Sequence, residues 1–390
     1  MKFNNIKFSP KVNAIGQLYY DKLGIVTPVV ASGDTPVEPE FLCFTAEESN
    51  SSVGMTHLGT NASSTKPVIY ISADGDRWTS WDYTTITLAN VGDKVYMYGE
   101  NPNGISSSDV NRSSFTIGGR VAASGDITNL LAYGGKSELP FCCFFSLFSD
   151  CTALTQAPQL PATTLAEGCY IGLFRGCSSL KSAPQLPATT LTEGCYSDMF
   201  SGCTSLKSAP QLPATTLANG CYSGLFSGCT SLKSAPQLPA TTLANSCYSK
   251  MFRGCSSLTQ AVDLPATILA DHCYYEMYNG CSALTHAPSI QATTLAIYSC
   301  YGMFYGCSSL THGPSLKSAT LADFAYYDMF SGCASLNSIE CFATDISAEN
   351  CVNRWLSGVS PTGTFTKSAN MLGWNRGISG IPEGWTVLNA

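Results

Sequence analysis

The segment CTSLKSAPQLPATTLANGCYSGLFSG, residues 203–228, decides the fold because near-copies of it precede and follow it along the chain. Its first cysteine recurs every 26 residues, at Cys151, Cys177, Cys203, Cys229, Cys255, Cys281, Cys307 and Cys333. A repeat of this length is one structural unit that cannot bury its apolar face alone, so consecutive copies stack into a solenoid. The repeat therefore predicts an elongated protein whose surface is laid out coil by coil.

Each copy has two halves with different patterns. In CYSGLFSGC, residues 221–229, apolar residues at i, i+1, i+4, i+5 and i+8 are typical of one stripe of a short helix. The other half, LKSAPQLPATTL at 206–217, contains two prolines, which predicts a short strand followed by a turn. Stacked copies would pair these strands in a parallel sheet, with the helices on the opposite face. The expected fold class is α/β.

Three segments carry a resemblance to a known family. Phe-Ser-Gly-Cys-Thr-Ser-Leu at 200–206 and 226–232, and Phe-Tyr-Gly-Cys-Ser-Ser-Leu at 304–310, resemble the BspA-like (Treponema-type) leucine-rich repeats. The resemblance covers residues 141 to about 345 and implies a right-handed leucine-rich-repeat solenoid. Similar arrays occur in surface proteins of host-associated anaerobic bacteria and in proteins of their phages, where the implied role is adhesion or recognition.

Changes of pattern along the chain predict five parts. Residues 1–32 form a leader or anchoring arm, and 33–40, with GDTPVEPE, a linker. Short apolar runs between turns across 41–135 predict an Ig-like β-sandwich. The solenoid is assigned to 136–345. A degraded repeat and the tail GWNRGISGIPEGWTV, within 346–390, predict a C-terminal cap over the last apolar face.

Composition narrows the classes of partner. Only 12% of residues are charged and the net charge is −7, so the chain has no general attraction for nucleic acid, which requires clustered Lys and Arg. The first 20 residues lack the apolar run of a secretory signal, and no stretch approaches the length of a membrane span. We therefore expect a protein without a membrane span and without nucleic acid as a partner.

The two cysteine series are interpreted as packing positions. A second series precedes the first by eight residues, and it is replaced by Ser299 and Ala325 in single copies. Small-residue replacement favours buried, reduced thiols, which act as small apolar side chains. Pairing between equivalent cysteines of neighbouring coils stays open, because stacked coils would bring them within disulfide distance.

Two columns of polar residues on the predicted strands are the candidate binding sites. Lys181, Lys207 and Lys233 stand one period apart, which predicts three ammonium groups on successive coils that suit an anionic polysaccharide. His286 and His312 form a second such pair, with a metal-binding or pH-sensing role as the sharper hypothesis. For both columns the alternative is a solvated strand surface that keeps the sheet soluble.

No catalytic motif accompanies these columns, so we expect a non-enzymatic protein with no cofactor and no metal. The recurring tyrosines at Tyr222 and its equivalents fall on the predicted core stripe. Trp78, Trp81, Trp355, Trp374 and Trp385 lie outside the regular coils. Tryptophan faces suit sugar stacking, but a structural role in the sandwich and the cap is the favoured interpretation.

The expected function is that of a virion protein, of the head- or tail-fibre type, of a phage of gut bacteria: the resemblance implies adhesion or recognition, and the lack of an export signal in the leader favours a virion over a cell surface. Its N-terminal part would dock onto other virion proteins, and its solenoid would be displayed at the virion surface for a host polysaccharide or protein. A homo-oligomer is expected, with a trimer as the form common among fibres. The alternatives are an adhesin on the bacterial cell surface and, more distantly, a glycan-active enzyme with a carboxylate pair.

Overall fold

The computed structural model describes residues 40–59, 66–106, 111–371 and 373–390. The predicted leader, 1–32, and the linker except residue 40 lie outside this part of the chain. Strands and turns dominate the described residues, and the single helical element among them is a short 3₁₀ turn at Ile127–Leu130. No helix within the described ranges is long and apolar enough to cross a bilayer.

Eight strands form the N-terminal region. They are β1 Leu42–Ala46, β2 Ser51–Gly59, β3 Ile69–Ser72, β4 Thr79–Ser80, β5 Ile86–Leu88, β6 Lys94–Gly99, β7 Asn111–Gly118 and β8 Val121–Ser124. One antiparallel sheet has the order β5-β2-β7, and the other begins β4-β3-β6-β1-β8. The two sheets share a core in which Phe44 of β1 lies 5.0 Å from Phe115 of β7, measured between ring centroids. The Ig-like topology predicted for this region stays a prediction.

The second sheet continues directly into the repeats. Strand β9, Leu154–Gln156, pairs in parallel with β8, with Val121 opposite Leu154. Farther along, the amide of Phe115 donates to the carbonyl of Leu147 at 2.8 Å. The N-terminal sheets therefore cover the open end of the first coil, and their side chains and those of the coils form one continuous hydrophobic core.

The stacked repeat predicted from the sequence is confirmed, and its strand pairing is most continuous near the C-terminus. Strands β10 His312–Leu316, β11 Ser338–Cys341, β12 Gly363–Lys367 and β13 Trp385–Asn389 form a parallel sheet in chain order, about three turns of a β-solenoid. Earlier coils are joined at the same places by single parallel bridges, such as Thr216 with Thr242. The proline-containing half of each repeat limits these ladders, since proline has no N–H to donate.

The predicted helices, and with them the α/β class, are wrong: the described chain is mostly β. In CYSGLFSGC, the amides of Ser223, Leu225 and Ser227 donate to the carbonyl three residues earlier. The intervening amides donate to the next coil, as from Tyr222 to Cys247 at 3.1 Å. An α-helix instead bonds every amide to the carbonyl four residues earlier. The segment is thus a chain of four-residue turns whose hydrogen bonds alternate between the turn and the neighbouring coil.

The segment does not form a helix because every fourth residue has a left-handed backbone conformation. Gly220, Gly224 and Gly228 have φ of +56°, +62° and +72°, and their equivalents in the other coils also have positive φ. A residue in this region ends a right-handed helical turn, and glycine adopts it without steric cost. Apolar residues that repeat with a period of 4 occupy positions i, i+1, i+4, i+5 and i+8, and so does the apolar stripe of an α-helix. The sequence pattern therefore predicted a helix where the structure has turns.

The third of these turn positions is glycine in eight successive coils, from Gly176 to Gly358. A Cβ built on Gly228 would lie 3.6 Å from the Cα of Gly202 in the preceding coil, which is van der Waals contact with backbone and leaves little room on that side for the atoms beyond Cβ. A Cβ on Gly220 has no neighbour within 4 Å.

We expect Gly228→Asn to lower the free energy of unfolding by about 1–3 kcal/mol, because its side chain must be fitted against the backbone of the preceding coil. Asn tolerates positive φ, so the matched variant Gly220→Asn should cost less than about 1 kcal/mol. Urea unfolding midpoints of the two variants measure the difference. Equal losses would show that close backbone stacking does not constrain this position.

The cysteine series packs inside the turn chain. All 19 cysteines are buried, and none is paired in a disulfide. The Cys203 thiol donates to the carbonyl of Phe174, and the Cys229 thiol to that of Phe200, each at 3.1 Å. Cysteine therefore fills a small apolar slot and also satisfies a buried carbonyl of the preceding coil.

The C-terminal region covers the last coil with tryptophan. Trp355 is fully buried, lies 5.3 Å from Trp374 between ring centroids, and donates from its indole N–H to the carbonyl of Gly380 at 3.0 Å. Trp385 donates similarly to the carbonyl of Ser360. Both side chains close the apolar end of the stack, as expected of a terminal repeat.

Candidate functional site

The lysine column, defined as Lys181, Lys207 and Lys233, lies on three adjacent coils as predicted. The amide of Lys207 donates to the carbonyl of Lys181 at 3.4 Å, which places the backbones in register. All three side chains are exposed, and none forms an ion pair with any residue the structure describes. The column continues as threonine on both sides, at Thr155 and Thr259.

A groove of about 340 Å³ lies beside the first lysine. Its lining includes Ser182, the neighbour of Lys181, with Gln156, Gln159 and Gln185 from two coils. Prolines complete the walls, because each coil turns at its proline-containing segment. The groove thus combines amide groups with rigid apolar walls; the amide of Gln159 already donates to the Glu40 carboxylate at 2.9 Å, and the side chain of Lys181 is not part of the lining.

The two histidines also lie on adjacent coils. His286 and His312 form a parallel backbone bridge, and both side chains are exposed. The hydroxyls of Thr285 and Thr311 each lie 2.9 Å from Nδ1 of the following histidine. No group of three or more potential metal ligands occurs among the described residues. The histidines stand two or more coils beyond Lys233, so the structure does not combine them with the lysine column.

The recurring tyrosines are part of the core, as the sequence indicated. Tyr196, Tyr222 and Tyr248 are almost fully buried, with centroids 5.9 Å apart. Among the tryptophans, Trp81, Trp355 and Trp385 are buried, which favours the structural interpretation for these three.

An N-terminal cleft of about 760 Å³ is a separate feature. Its walls include Ile71, Ile86 and Val95, and its rim carries Asp74. The Asp74 carboxylate accepts hydrogen bonds from the backbone amide and the guanidinium of Arg77, and these hold its pKa well below the usual range. This ion pair is largely exposed and closes a turn, so it indicates no chemistry beyond local structure.

Sequence reasoning missed one surface feature, the aromatic grid. It consists of two columns of three partly exposed rings on adjacent coils, His272, Tyr298 and Phe324 in the first, and Tyr275, Tyr301 and Tyr327 in the second. In the first column neighbouring centroids are 4.8 and 4.6 Å apart, and in the second 4.9 and 5.0 Å. Rings of the two columns on one coil are 5.7–6.0 Å apart.

Polar residues bound the aromatic grid at both ends. Ser246 and Ser249 precede the two columns, and Asn350 and Asn353 follow them. The ammonium group of Lys250 lies 5.5 Å from the ring centroid of Tyr275. A signal was present in the sequence. In the four preceding coils the first column holds Gly168, Gly194, Gly220 and Ser246, and the second holds Ile171, Ser197, Ser223 and Ser249. Both positions are then aromatic in three successive coils.

Burial within the grid keeps the phenols of Tyr275 and Tyr301 protonated. Burial raises the pKa of Tyr275 and raises that of Tyr301 to about 12. Nearby acids are paired, with Glu276 3.5 Å from Arg253 and Asp328 3.3 Å from Arg354. The grid therefore offers hydroxyl donors and aromatic carbon at neutral pH.

Comparison of the chain with protein-family models, with curated proteins and with solved structures finds no match.

Proposed function

We propose that this chain is a non-enzymatic surface-recognition protein that binds an anionic polysaccharide along the lysine column. The observation that carries the proposal is the column itself: three exposed cations in register on adjacent coils, with no ion-pair partner in the described chain. The finer fold assignment, a right-handed leucine-rich-repeat solenoid of BspA-like type, is part of the proposal and is supported by the segments at 200–206 and 304–310.

Electrostatics favour an extended ligand over a single anion. Neighbouring coils are spaced by about 5 Å, so the ammonium groups repel one another unless solvent or an anion separates them. A chain of uronic or sulfated sugars supplies negative charges at regular intervals and hydroxyls for the amides of the adjoining groove. The overall charge of −7 makes a local positive column the more distinctive feature.

Replacing the column by the residue that its neighbours carry provides the test. The triple variant Lys181→Thr, Lys207→Thr and Lys233→Thr should fold normally, because Thr155 and Thr259 occupy the same place in adjacent coils. We expect binding to immobilised polygalacturonate and dextran sulfate to weaken at least tenfold. Binding of the wild-type chain should also weaken more steeply with rising salt concentration than binding of the triple Thr variant, since salt screens exposed charges.

The triple Lys→Arg variant is the matched control, because it preserves charge at each position. It should retain most of the affinity for both polyanions. If the wild-type chain binds neither polymer at low ionic strength, or if the Thr variant binds as well as wild type, the proposal fails.

The proposed location is the surface of a phage virion, with the N-terminal region docked onto other virion proteins and the coils displayed. The alternative is the surface of the bacterial cell. Both are supported by the repeat resemblance and share the recognition role. Antibodies against the full chain distinguish them, since labelling of purified particles supports the virion and labelling of the cell envelope supports the adhesin.

A further inference from the structure

The aromatic grid interrupts a repeat that is otherwise nearly uniform. Both of its columns consist of small residues in the coils around Gly220 and Ser223, and both change to aromatic rings over the same three coils. The buried positions of these coils also vary, with Tyr278 in place of phenylalanine, Ser299 in place of cysteine and Cys300 in place of tyrosine, but each of them remains buried. The six aromatic rings, in contrast, are partly exposed and so add to the surface of the coils.

The first column keeps its aromatic residues in a strained conformation. His272, Tyr298 and Phe324 each have φ of +55°, at the position where Gly168, Gly194 and Gly220 stand in other coils. A bulky side chain is disfavoured in this region, and glycine is not. Backbone strain that persists where a glycine, as in the other coils, would remove it is characteristic of functional positions.

The grid also has groups free to bind a ligand. The hydroxyls of Tyr275, Tyr301 and Tyr327 make no hydrogen bond with any residue that the structure describes, and each ring is partly exposed. Parallel rings about 5 Å apart that remain in contact are offset, so each leaves a strip of its face uncovered. Tyr305, one turn beyond Tyr301, is 41% exposed and extends this surface.

The area of the grid favours a small occupant. Six partly exposed aromatic side chains present on the order of 300 Å², whereas a stable protein interface needs about 800 Å² per partner. An oligosaccharide segment is of the right size, and its apolar C–H patches and hydroxyls complement ring faces and phenols.

The charges beside the grid restrict the kind of saccharide. Glu276 and Asp328 both influence the Tyr301 phenol, and each acid is already paired with an arginine. With both acids paired, their charges are offset within the protein, and Lys250 meets the grid only at Tyr275, the first ring of the second column. We propose that the aromatic grid is a second binding site, separate from the lysine column, and that it takes a neutral polysaccharide laid along the coil axis.

Reversion to the small residues of neighbouring coils tests the proposal with little risk to folding. One variant combines His272→Gly, Tyr298→Gly and Phe324→Gly with Tyr275→Ser, Tyr301→Ser and Tyr327→Ser. Full-length wild type and variant are compared by affinity electrophoresis in gels containing laminarin, yeast mannan or xyloglucan. We expect wild type to be retarded by at least one of these polymers, and the variant to bind it at least tenfold more weakly.

Controls separate this site from the lysine column. The Lys→Thr triple variant should retain neutral-polymer binding, and the grid variant should retain polygalacturonate binding if the lysine proposal holds. Circular dichroism confirms that the grid variant is folded. Absence of retardation of wild type by all three polymers overturns the proposal. A change of oligomeric state in the variant, without a change in sugar binding, would assign the grid to contact between copies of the chain and equally overturn it.

Discussion

Raising the pH above about 9 is expected to unfold the stacked coils cooperatively. Burial raises the pKa of Cys203, Cys255 and Cys333 to about 12, from an ordinary value of 9.0, and that of Cys195 to about 11. Above pH 9 the unfolded chain releases these protons and the folded chain does not. The contribution of these protonated thiols to the free energy of unfolding is therefore complete below pH 9, and it is lost as the pH rises toward their pKa values in the folded chain.

The repeat makes this effect unusually large. Each such thiol lowers the free energy of unfolding by about 1.4 kcal/mol per pH unit in this window. Ten or so thiols together give on the order of 10 kcal/mol by pH 10, comparable to the whole stability of a typical domain. Deprotonation of buried tyrosines such as Tyr222 adds to the loss at still higher pH, since burial raises their pKa as well.

Urea unfolding followed by circular dichroism at pH values from 7 to 10.5 measures the slope. The matched variant Cys203→Ser keeps a donor for the Phe174 carbonyl but does not titrate there, so its slope should be smaller by about one proton. In the native state at pH 8 the thiols should react with a disulfide reagent only as fast as the coils open. A free energy of unfolding that is independent of pH between 8 and 10.5 would rule out this account.

Trp355→Ala is expected to lower the free energy of unfolding by about 3–5 kcal/mol. The side chain is fully buried, lies in parallel with Tyr326 at 6.3 Å and with Trp374 at 5.3 Å, and meets Phe365 edge-on at 5.9 Å. Its loss leaves a cavity at the end of the stack and removes the donor to the Gly380 carbonyl.

Trp355→Phe is the control, because it preserves an aromatic ring against Tyr326 and removes mainly the indole hydrogen bond. We expect it to cost about 1–2 kcal/mol. Calorimetry and urea midpoints of both variants report the stability of the whole stack, since each coil is stabilised by its neighbours. A loss below about 1 kcal/mol for Trp355→Ala would mean that the cap and the coils unfold independently.

The 26-residue period and the burial of the cysteines could be inferred from the sequence, because repetition implies stacking and small-residue replacement implies packing. The backbone inside each coil could not. The stripe from Cys221 to Cys229 suits a period of either 3.6 or 4, and only glycine at 220, 224 and 228 signalled the latter. Non-glycine residues at the same places, such as Asp198 and Lys250, obscured that signal.

For the candidate sites, too, the sequence predicted one feature and the tertiary structure was needed for the other. The sequence by itself determined that Lys181, Lys207 and Lys233 would lie side by side, since equal spacing in a stack places equivalent residues on one line. Only the tertiary structure decided that His272, Tyr298 and Phe324 adopt positive φ and stack beside Tyr275, Tyr301 and Tyr327. Those contacts depend on hydrogen bonds that alternate between a turn and the next coil, and such bonds join residues about 25 positions apart, beyond the reach of local sequence patterns.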